Sequence, residues 1–413
     1  MTGDIVPGLM EMSAETADFI REHRNDDVRR LALGHHPAGV DIRTALVQIS
    51  GYQAALEKLP EWAATDGVLW PPHLSMEQCT SQILAQYKSS IVSELLDPGF
   101  PLADLTGGLG ADCLYLSKRA GAVFYNELNP ELCALAQHNL PLLGCSRLTV
   151  SNTDAESFIA SHSCDRFGLL YIDPARRSAA GHRLVSLKDC QPDVTLLQDR
   201  MTAMADFVMV KMSPMLDIRV ALSELRNVRQ LWALSLCGEC KELLAVLDSD
   251  FSGETEILAV NVNADGTCSE TLRSTLSAEL RLPLPTVPED RLVPGTFLYE
   301  PFPAYMKSGL YRTMCLKYGV RQLSADSHLF FSDIPVPSFP GRGFRISSVV
   351  QSGRRQLGEL FSRYPQANIA VRNFPMTVDE IRRRYKVRDG GTCYMFASTS
   401  ADGKRLVFVT ERV

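Results

Sequence analysis

Residues 104–112 of the chain read DLTGGLGAD. The apolar run PLADLT that leads into this stretch predicts a strand, and the LYLSKRA that follows it predicts a helix. A glycine-rich turn between a strand and a helix lets a ligand come close to the backbone, at the positive end of the helix dipole. The stretch therefore predicts the ligand-binding turn of an α/β domain.

The sequence around this turn repeats the same alternation of short apolar runs and helical stretches from about residue 100 to 263. The predicted strands are PLADLT, AVFYNEL, LTVSN, FGLLYID, DFVMVKMS, RQLWALSL and EILAVNVN. The predicted helices are LYLSKRA, PELCALAQHNL, a stretch around 191–205, DIRVALSELRN and KELLAVLDS. Strands that alternate with helices indicate a parallel sheet covered on both faces. We therefore predict a doubly wound, Rossmann-like α/β domain at residues 99–265.

Other segments flank this domain. Residues 1–98 have apolar residues at helical spacing and end at Asp97-Pro98-Gly99, which predicts an N-terminal helical domain. Residues 266–340 contain a Pro-rich link, a helix around 304–318 and a strand near 328–331, which predicts a small mixed segment. The last domain, 341–413, contains predicted strands at 344–350 and 368–374, helices at 354–363 and 378–385, and a final hairpin that turns at 401–404.

Composition and charge limit the classes of protein. Of the 413 residues, 22% are charged and 45% are hydrophobic, which is typical of a globular chain. No apolar run approaches the roughly 18 residues of a membrane helix. The N-terminus lacks the basic and apolar regions of a secretory signal, so we predict a cytoplasmic protein with no membrane partner.

The eleven cysteines follow no repeating pattern, which favours reduced thiols over a disulfide framework. One pair, Cys237 and Cys240, has the spacing CxxC. A structural zinc site needs four ligands, usually two such pairs, and the chain has no second pair. We therefore predict no metal site and expect these cysteines to pack at the start of a helix, with a redox role left open.

Two cofactor classes use a glycine-rich turn of this kind. A dinucleotide site needs a small third residue and room for a pyrophosphate, but Cys113 takes that position and Asp112 lies near the phosphate. Asp104 and Glu127, at the ends of the first two strands, suit an amino-acid ammonium group and a ribose diol. These groups predict S-adenosylmethionine as the cofactor, with NAD as the alternative.

Four stretches, DLTGGLGAD, YNELNP with Glu127, SNTDAE with Asp154, and YIDPAR, resemble the class I S-adenosylmethionine-dependent methyltransferases in their order along the chain. The resemblance implies that Glu127 binds the ribose hydroxyls, Asp154 and Ala155 lie against the adenine, and Asp104 helps to hold the ammonium group. The cofactor-binding residues that it implies are Asp104, Thr106, Gly107, Gly108, Gly110, Asp112, Glu127, Leu128, Asp154 and Ala155.

The end of the fourth strand, YIDPARR at 171–177, predicts the catalytic residues because this position faces the cofactor in doubly wound folds. Enzymes that methylate exocyclic amines resemble (D/N)PP(Y/F), and here Ala and Arg replace the second Pro and the aromatic residue. DPAR is similar to RNA uridine-C5 methyltransferases, which need a cysteine after the next strand; here that strand ends in VKMSP. We predict direct transfer, with four catalytic residues: Asp173, Pro174, Arg176 and Lys211. Alternatively, Asp173 only caps a turn.

A helix upstream of the sheet offers two interpretations. The stretch MEQCTSQILAQYKSS contains Gln78, Thr80, Tyr87 and Lys88. In related enzymes a preceding helix can cover the cofactor, and plain amphipathic packing is the alternative.

The C-terminal domain is basic, although the chain as a whole carries a net charge of −6. Residues 341–413 contain 14 Lys/Arg and 6 Asp/Glu, whereas the other 340 residues contain 28 and 42. Arginines pair with phosphates, and aromatic side chains stack on exposed bases. The predicted RNA-contacting residues are Arg354, Arg355, Arg372, Arg382, Arg383 and Arg384, interleaved with the aromatic residues Phe344, Phe374 and Tyr385. The alternative is a solvated basic helix face with those aromatics in the core.

The stretches YEPFPAYMKSGL, FRISSVV and EIRRRYKVRDGGTCYMFAS resemble the uncharacterised THUMP-domain-like methyltransferase family. The resemblance implies a ferredoxin-like segment at 266–340 and an RNA-binding THUMP-like domain at 341–413. The sequence thus predicts a methyltransferase that acts on a tRNA or rRNA base. Two alternatives stay open: a methyltransferase of a protein or small molecule, and a non-catalytic RNA-binding module that binds the cofactor. The sequence leaves the oligomeric state open.

Overall fold

The computed structural model describes residues 12–176 and 186–413. They form two compact units. The first unit contains the residues up to Arg229 together with Leu244–Ser252, and the second contains Gln230–Leu243 and Gly253–Val413. The domain boundaries at residues 98, 265 and 340 stay predictions.

Helices precede the first strand of the first unit, as the apolar spacing predicts. They are α1 (Ala14–His23), α2 (Val28–Ala32), α3 (Ile42–Lys58), α4 (Pro60–Ala63), α5 (His73–Gln78) and α6 (Gln82–Leu95). Several begin at a side chain that accepts a hydrogen bond from the first helical turn; Asp41 caps α3 and Ser81 caps α6 in this way.

A parallel sheet, its helices and a separate pair of short antiparallel strands follow in the first unit. The strands are β1 (Pro101–Asp104), β2 (Ala122–Asn126), β3 (Leu148–Ser151), β4 (Phe167–Ile172), the short β5 (Ala175–Arg176) and β6 (Cys190–Gln191), and β7 (Ala205–Met212). The helices are α7 (Ala111–Ser117), α8 (Pro130–Leu142), α9 (Ala155–Ser161), α10 (Val194–Met204) and α11 (Ile218–Glu224).

The strand order identifies where a ligand would bind in this sheet. The order is β3-β2-β1-β4-β7, and every pair in it is parallel. This is the doubly wound arrangement, in which the order reverses between β1 and β4. Ligands bind outside the carboxyl ends of the strands at this reversal. The predicted fold class is confirmed, and the glycine-rich turn follows β1 at this point.

One helix prediction is wrong. Residues 241–247 of the stretch KELLAVLDS belong to strand β9 (Glu239–Leu247), which follows β8 (Val228–Leu236) after a two-residue turn. The turn residues Cys237 and Gly238 have φ values of 51° and 81°. Positive φ at both residues is the geometry of a tight hairpin turn, and Gly238 adopts it without steric cost. The predicted helix start at Cys237 is therefore a hairpin turn.

The second unit continues with mixed structure. β10 (Glu256–Val262) pairs in parallel with β8, and β11 (Leu272–Thr275) pairs with β10 in the antiparallel direction. The helices that follow are α12 (Leu276–Arg281), α13 (Pro303–Ser308) and α14 (Tyr311–Tyr318). The last two replace the single helix predicted around 304–318, because Gly309 ends α13 in a left-handed conformation, with a φ of 72°.

A seven-stranded sheet completes the second unit. Its strands are β12 (Phe297–Pro301), β13 (Arg321–Gln322), β14 (Phe330–Ser332), β15 (Gly341–Gln351), β16 (Asn368–Arg372), β17 (Tyr394–Thr399) and β18 (Arg405–Arg412). Their order is β13-β14-β12-β15-β18-β17-β16. The helices α15 (Arg354–Arg363) and α16 (Val378–Tyr385) have the predicted bounds, and α16 connects the parallel pair β16 and β17.

Two apolar cores lie in this part of the chain. The strand-side core contains Leu298, Phe331, Phe344, Ile346, Phe396 and Phe408. The helix-side core contains Leu357, Leu360, Phe361, Ile381, Met395 and Val409. Because successive side chains of a strand point to opposite faces, neighbouring residues such as Met395 and Phe396 belong to different cores. Across residues 12–176 and 186–413, no helix has the length and apolarity to cross a membrane.

Candidate active site

A cleft of about 360 Å³ lies at the carboxyl ends of β1 and β4. This volume is within the range of about 300–1,000 Å³ that small-molecule sites have. The residues that line it include Asp104, Thr106, Gly107, Gly108, Asp112, Glu127, Leu128, Asp154, Ala155, Tyr171, Asp173 and Lys211. The structure thus brings together the predicted cofactor residues except Gly110, which precedes α7 and is not among the residues that line the cleft.

The glycine-rich turn depends on the absence of side chains. A Cβ on Gly107 would lie 2.0 Å from Cε2 of the Tyr125 ring, which is closer than any real Cβ contact. The hydroxyl of Tyr125 donates a hydrogen bond to the carbonyl oxygen of Gly108. Gly108 and Gly110 have φ values of 56° and 93°, which glycine adopts readily. Tyr125 therefore supports the backbone of the turn, a role that the sequence analysis missed.

Glu127 follows β2 and contacts the same turn. One carboxylate oxygen accepts a hydrogen bond from the N–H of Gly108 at 2.9 Å, and the other accepts from the N–H of Asn129 at 2.9 Å. An ionised carboxylate has about four lone-pair positions, so two further donors can be accommodated. The half-buried Glu127 side chain lines the cleft and has the chemistry that a ribose diol requires.

Asp154 and Ala155 line the cleft at the start of α9. The exposed Asp154 carboxylate caps the helix, and its hydrogen bonds from the Ser157 backbone and hydroxyl lower its pKa. Ala155 is buried, whereas Leu128 is 67% exposed at the cleft. These residues offer an apolar surface beside a helix N-terminus, which suits a planar heterocycle.

Asp104 is a buried carboxyl group at the base of the cleft. Its Oδ1 accepts a hydrogen bond from the N–H of Thr106 at 3.1 Å, and burial raises its pKa well above 3.8. Within the described residues, its Oδ2 has no hydrogen-bond partner. Buried polar atoms in native structures are nearly always paired, so Oδ2 fits a position that a ligand N–H group would satisfy. The carboxylate acceptors of the cleft therefore fit the ammonium group and ribose hydroxyls of S-adenosylmethionine.

A buried ion pair lies next to Asp104 at the bottom of the cleft. Lys88 of α6 has no exposed surface, and its Nζ lies 2.7 Å from Oδ1 of Asp112. The hydroxyls of Thr80 and Tyr171 donate to Oδ2 of Asp112 at 2.7 and 2.8 Å. Burial opposes the ionisation of Asp112, but the charges of Lys88 and Lys211 outweigh it and lower the pKa from 3.8 to about 2. The upstream helix thus supplies a structural cation to the site.

Asp173 and Lys211 meet at the cleft from neighbouring parallel strands. Lys211, near the end of β7, lies 2.5 Å from Oδ2 of Asp173, which follows β4. The Asp173 N–H donates to the hydroxyl of Thr106 at 2.7 Å, so the glycine-rich turn also fixes this residue. Pro174, the next residue in the chain, is not among the residues that line the cleft. Arg176 belongs to β5, but its side chain, like the whole of Arg177, lies outside the described part of the chain.

The predicted RNA-contacting arginines lie on different elements of the basic domain. Arg354 and Arg355 are exposed at the start of α15, where Arg355 forms an ion pair with Glu359. Arg383 and Arg384 are exposed in the last turn of α16. The remaining two are paired with acidic side chains: Arg382 with Asp389, and Arg372 with Glu300.

The interleaved aromatic residues are not exposed stacking platforms. Phe344 is fully buried in the strand-side core. Phe374 and Tyr385 pack against the helix-side core, and the Tyr385 ring lies 5.0 Å from that of Phe361. For these three residues the structure has the packing that the sequence analysis gave as the alternative.

The described residues contain no group of three or more His, Cys, Asp or Glu side chains arranged to bind a metal ion. The CxxC cysteines are free thiols in the β8–β9 hairpin, with Cys237 exposed and Cys240 half-buried. Burial raises the pKa of Cys240 to about 11, which disfavours the nucleophilic thiolate form.

Comparisons with known proteins find similar domains and relatives along the chain. A family model described as THUMP domain-like matches residues 341–412, and one described as a ferredoxin-like domain matches residues 297–340. Relatives in two strains of Mycobacterium tuberculosis, named as uncharacterized S-adenosylmethionine-dependent methyltransferases, are 25% identical over 347 residues; the match covers 79% of this chain and 82% of theirs.

The crystal structure of a Porphyromonas gingivalis W83 protein classed as a methyltransferase is similar over almost the full length. It has a TM-score of 0.83 and 29% identity, and the match covers 96% of this chain and 97% of that chain. The doubly wound sheet and these relatives together indicate an S-adenosylmethionine-dependent methyltransferase, and the two family models match ferredoxin-like and THUMP domain-like segments in its C-terminal part.

Proposed function

We propose that this methyltransferase acts on RNA and transfers the methyl group directly to a base. The observation that carries the proposal is the charge of residues 341–413, which contain 14 basic and 6 acidic residues in an otherwise acidic chain. These residues coincide with the THUMP domain-like match. Phosphate contacts supply most of the affinity of non-specific nucleic-acid binding, so a concentrated positive charge fits an RNA partner.

The cofactor is assigned to the cleft beside β1. Glu127 accepts hydrogen bonds from the ribose hydroxyls, Asp104 accepts one from the amino-acid ammonium group, and Leu128 and Ala155 contact the adenine. The hydrogen bonds of Glu127 to the Gly108 and Asn129 backbone support this assignment, since they place its carboxylate before the ligand arrives. A carboxylate that is already positioned loses little conformational freedom on binding.

Asp173 is the residue that orients the methyl acceptor. S-adenosylmethionine would supply a methyl group bonded to a positively charged sulfur. A nitrogen or carbon nucleophile of the base would attack the methyl carbon in line, the carbon–sulfur bond would break with the electron pair going to sulfur, and S-adenosylhomocysteine would leave while the methylated atom loses a proton. The Asp173 carboxylate accepts a hydrogen bond from an N–H of the acceptor and so points the acceptor's lone pair towards the cleft. Lys211 and Thr106 hold Asp173 in this position. Such positioning accounts for a large part of the rate of two-reactant enzymes.

Exposed arginines of the basic domain bind the RNA backbone. Arg383 and Arg384 extend from the last turn of α16, and Arg354 and Arg355 from the first turn of α15. A guanidinium group binds a phosphate with two parallel hydrogen bonds, which fixes orientation as well as affinity.

The alternative substrate class is a protein or a small molecule. One observation favours it: Phe344, Phe374 and Tyr385 pack against the cores, so the basic domain lacks these three rings for base stacking. Phosphate contact and shape recognition are then the expected modes of RNA binding.

The test is transfer of labelled methyl from S-adenosylmethionine into an extract of cells that lack the protein. RNA, protein and small-molecule fractions are counted separately after incubation with the full-length enzyme. Label in RNA, reduced in the double variant Arg383→Gln/Arg384→Gln, supports the proposal. The matched control Arg166→Gln removes an exposed arginine from the first unit and should leave the label unchanged. Label in protein or small molecules alone would refute the RNA assignment.

A further inference from the structure

Three charged residues lie together at one end of the strand-side core. Glu300 is on β12, Arg342 on β15 and Arg372 on β16. Glu300 is two positions from Leu298, and Arg342 is two positions from Phe344; both apolar residues belong to that core. Arg372 is two positions from Ala370, which packs against the core. Because side chains two positions apart on a strand point to the same face, each charged residue shares a face with its apolar neighbour. The three side chains therefore lie on the same faces of their strands as this core and contact one another.

Glu300 holds both arginines. Nε of Arg342 lies 3.1 Å from Oε2 of Glu300, and Nη2 of Arg342 contacts the same oxygen. Nη2 of Arg372 lies 2.8 Å from Oε1. The Glu300 side chain is 7% exposed, whereas the Arg342 and Arg372 side chains are 44% and 32% exposed. The carboxylate is thus buried behind two guanidinium groups that reach solvent.

The cluster contains one more positive charge than is required to balance the Glu300 carboxylate. A single arginine compensates a buried carboxylate, and the second leaves one uncompensated positive charge beside the first. The positive charge of Arg372 affects the nearby His328. Burial and this charge lower the pKa of His328, although the negative charge of Asp326 opposes them. The Glu300 carboxylate already lies between the two guanidinium groups, so the cluster has two positive charges and one negative charge, and an anion bound on the solvent side would neutralise the excess.

We propose that Arg342 and Arg372, positioned by Glu300, form a phosphate-binding pair. Each guanidinium has five N–H donors, and the contacts to Glu300 use only part of them, so both groups can donate to the same phosphate. A planar guanidinium matches the geometry of phosphate oxygens. Because Glu300 already holds both arginine side chains, they lose little conformational entropy when a phosphate binds.

The phosphate is assigned to the RNA backbone, an assignment that rests on the proposed function. The three residues join two matched segments, since Glu300 lies in the ferredoxin-like match and both arginines lie in the THUMP domain-like match. A phosphate bound here would fix the path of the RNA on the second unit. The base itself would not be read, because phosphate contacts carry no direct sequence information.

The test compares two variants of the full-length protein. The triple variant Glu300→Gln/Arg342→Gln/Arg372→Gln removes all three charges together, so no buried charge is left uncompensated. The control Arg345→Gln removes an exposed arginine on the opposite face of the same strand. Thermal unfolding of each variant verifies that it is folded.

RNA affinity is measured as a function of salt concentration, and inorganic phosphate is titrated separately. We expect the triple variant to lose at least about tenfold in RNA affinity and about one unit of salt slope, while the control keeps both. If the triple variant binds RNA as tightly as the wild type, the two arginines are not a phosphate-binding pair, and the proposed RNA function is unaffected. Loss of inorganic phosphate binding in the triple variant, with no RNA binding by the wild type, would keep the pair for free phosphate and refute the RNA function. Binding of neither ligand to the wild type would overturn both.

Discussion

The Nζ of Lys211 lies 2.5 Å from Oδ2 of Asp173 and 4.0 Å from Oδ2 of Asp112. One cation therefore connects the carboxylate proposed to orient the acceptor with the carboxylate that is buried against Lys88. The four residues alternate in charge from the helical segment to the mouth of the cleft. This alternation keeps the negative charge of Asp112 in place at a site where burial alone would favour its neutral form.

Removing the cation of Lys88 should destabilise the protein. Lys88→Met keeps the length of the side chain but leaves Asp112 with Lys211 as its more distant cation. Removal of one partner from a buried ion pair costs about 3 kcal/mol or more. Urea unfolding measures this loss. The control Lys118→Met removes a half-exposed pair with Glu61 and should cost no more than about 1 kcal/mol. Equal losses in the two variants would contradict the importance of the buried pair.

The stability supplied by Asp112 should depend on pH in a defined direction. Its pKa falls from 3.8 to about 2 on folding. A carboxyl group with a lowered folded pKa stabilises the protein fully above its unfolded pKa, and this contribution disappears as the pH falls towards the folded pKa. The difference in unfolding free energy between the wild type and Asp112→Asn should therefore be constant from pH 7 to 5 and decrease below about pH 4. A difference that grows on acidification would be inconsistent with the ion pair.

A side chain at Gly107 should disrupt the cofactor cleft. In Gly107→Ala the new Cβ would overlap the ring of Tyr125, so the turn must move away from β2. We expect a loss of at least about tenfold in affinity for S-adenosylhomocysteine, measured by calorimetry, since the turn contributes its backbone directly to the site. The control Gly358→Ala places a Cβ in open space and should bind normally. Normal binding by Gly107→Ala would show that the turn does not contact the ligand.

Glu127 should be required for cofactor binding rather than for folding. Glu127→Ala removes the proposed acceptors of the ribose hydroxyls and the acceptor of the Gly108 N–H. Loss of hydrogen bonds to a charged group predicts a decrease in S-adenosylhomocysteine affinity of at least about tenfold. Glu131→Ala, on the neighbouring helix α8, serves as the control. If NAD bound to the wild type in the same experiment, the cofactor assignment would be wrong.

The fold of the first unit could be predicted because its strands and helices have distinct local patterns. The turn at 104–112 and the alternation around it also predicted the cleft. The stretch 241–249 failed because its central run, Leu243–Leu247, is apolar throughout, and such a run is equally compatible with a buried helix and a buried strand. The turn at Cys237 and Gly238 was the local signal that could have decided between them.

Contacts between distant residues could not be predicted from one sequence. Lys88 lies at position i+4 from Leu84 on the buried face of α6, and a lysine in that position signals a buried partner. Nothing local identifies Asp112 as that partner, because the pairing depends on how α6 packs against α7. The same holds for Arg372, whose carboxylate partner Glu300 is 72 residues away.

The most direct test of the account is single-turnover methyl transfer by Asp173→Asn. RNA from cells that lack the protein is mixed with excess enzyme and labelled S-adenosylmethionine, and cofactor affinity is measured in parallel. The control Asp206→Asn changes an exposed aspartate that pairs with Arg166. We predict that Asp173→Asn slows transfer by about 100-fold, the cost of a misplaced reactant, with cofactor affinity unchanged. Transfer at the wild-type rate would contradict the assignment of Asp173 and, with it, the proposed catalytic site.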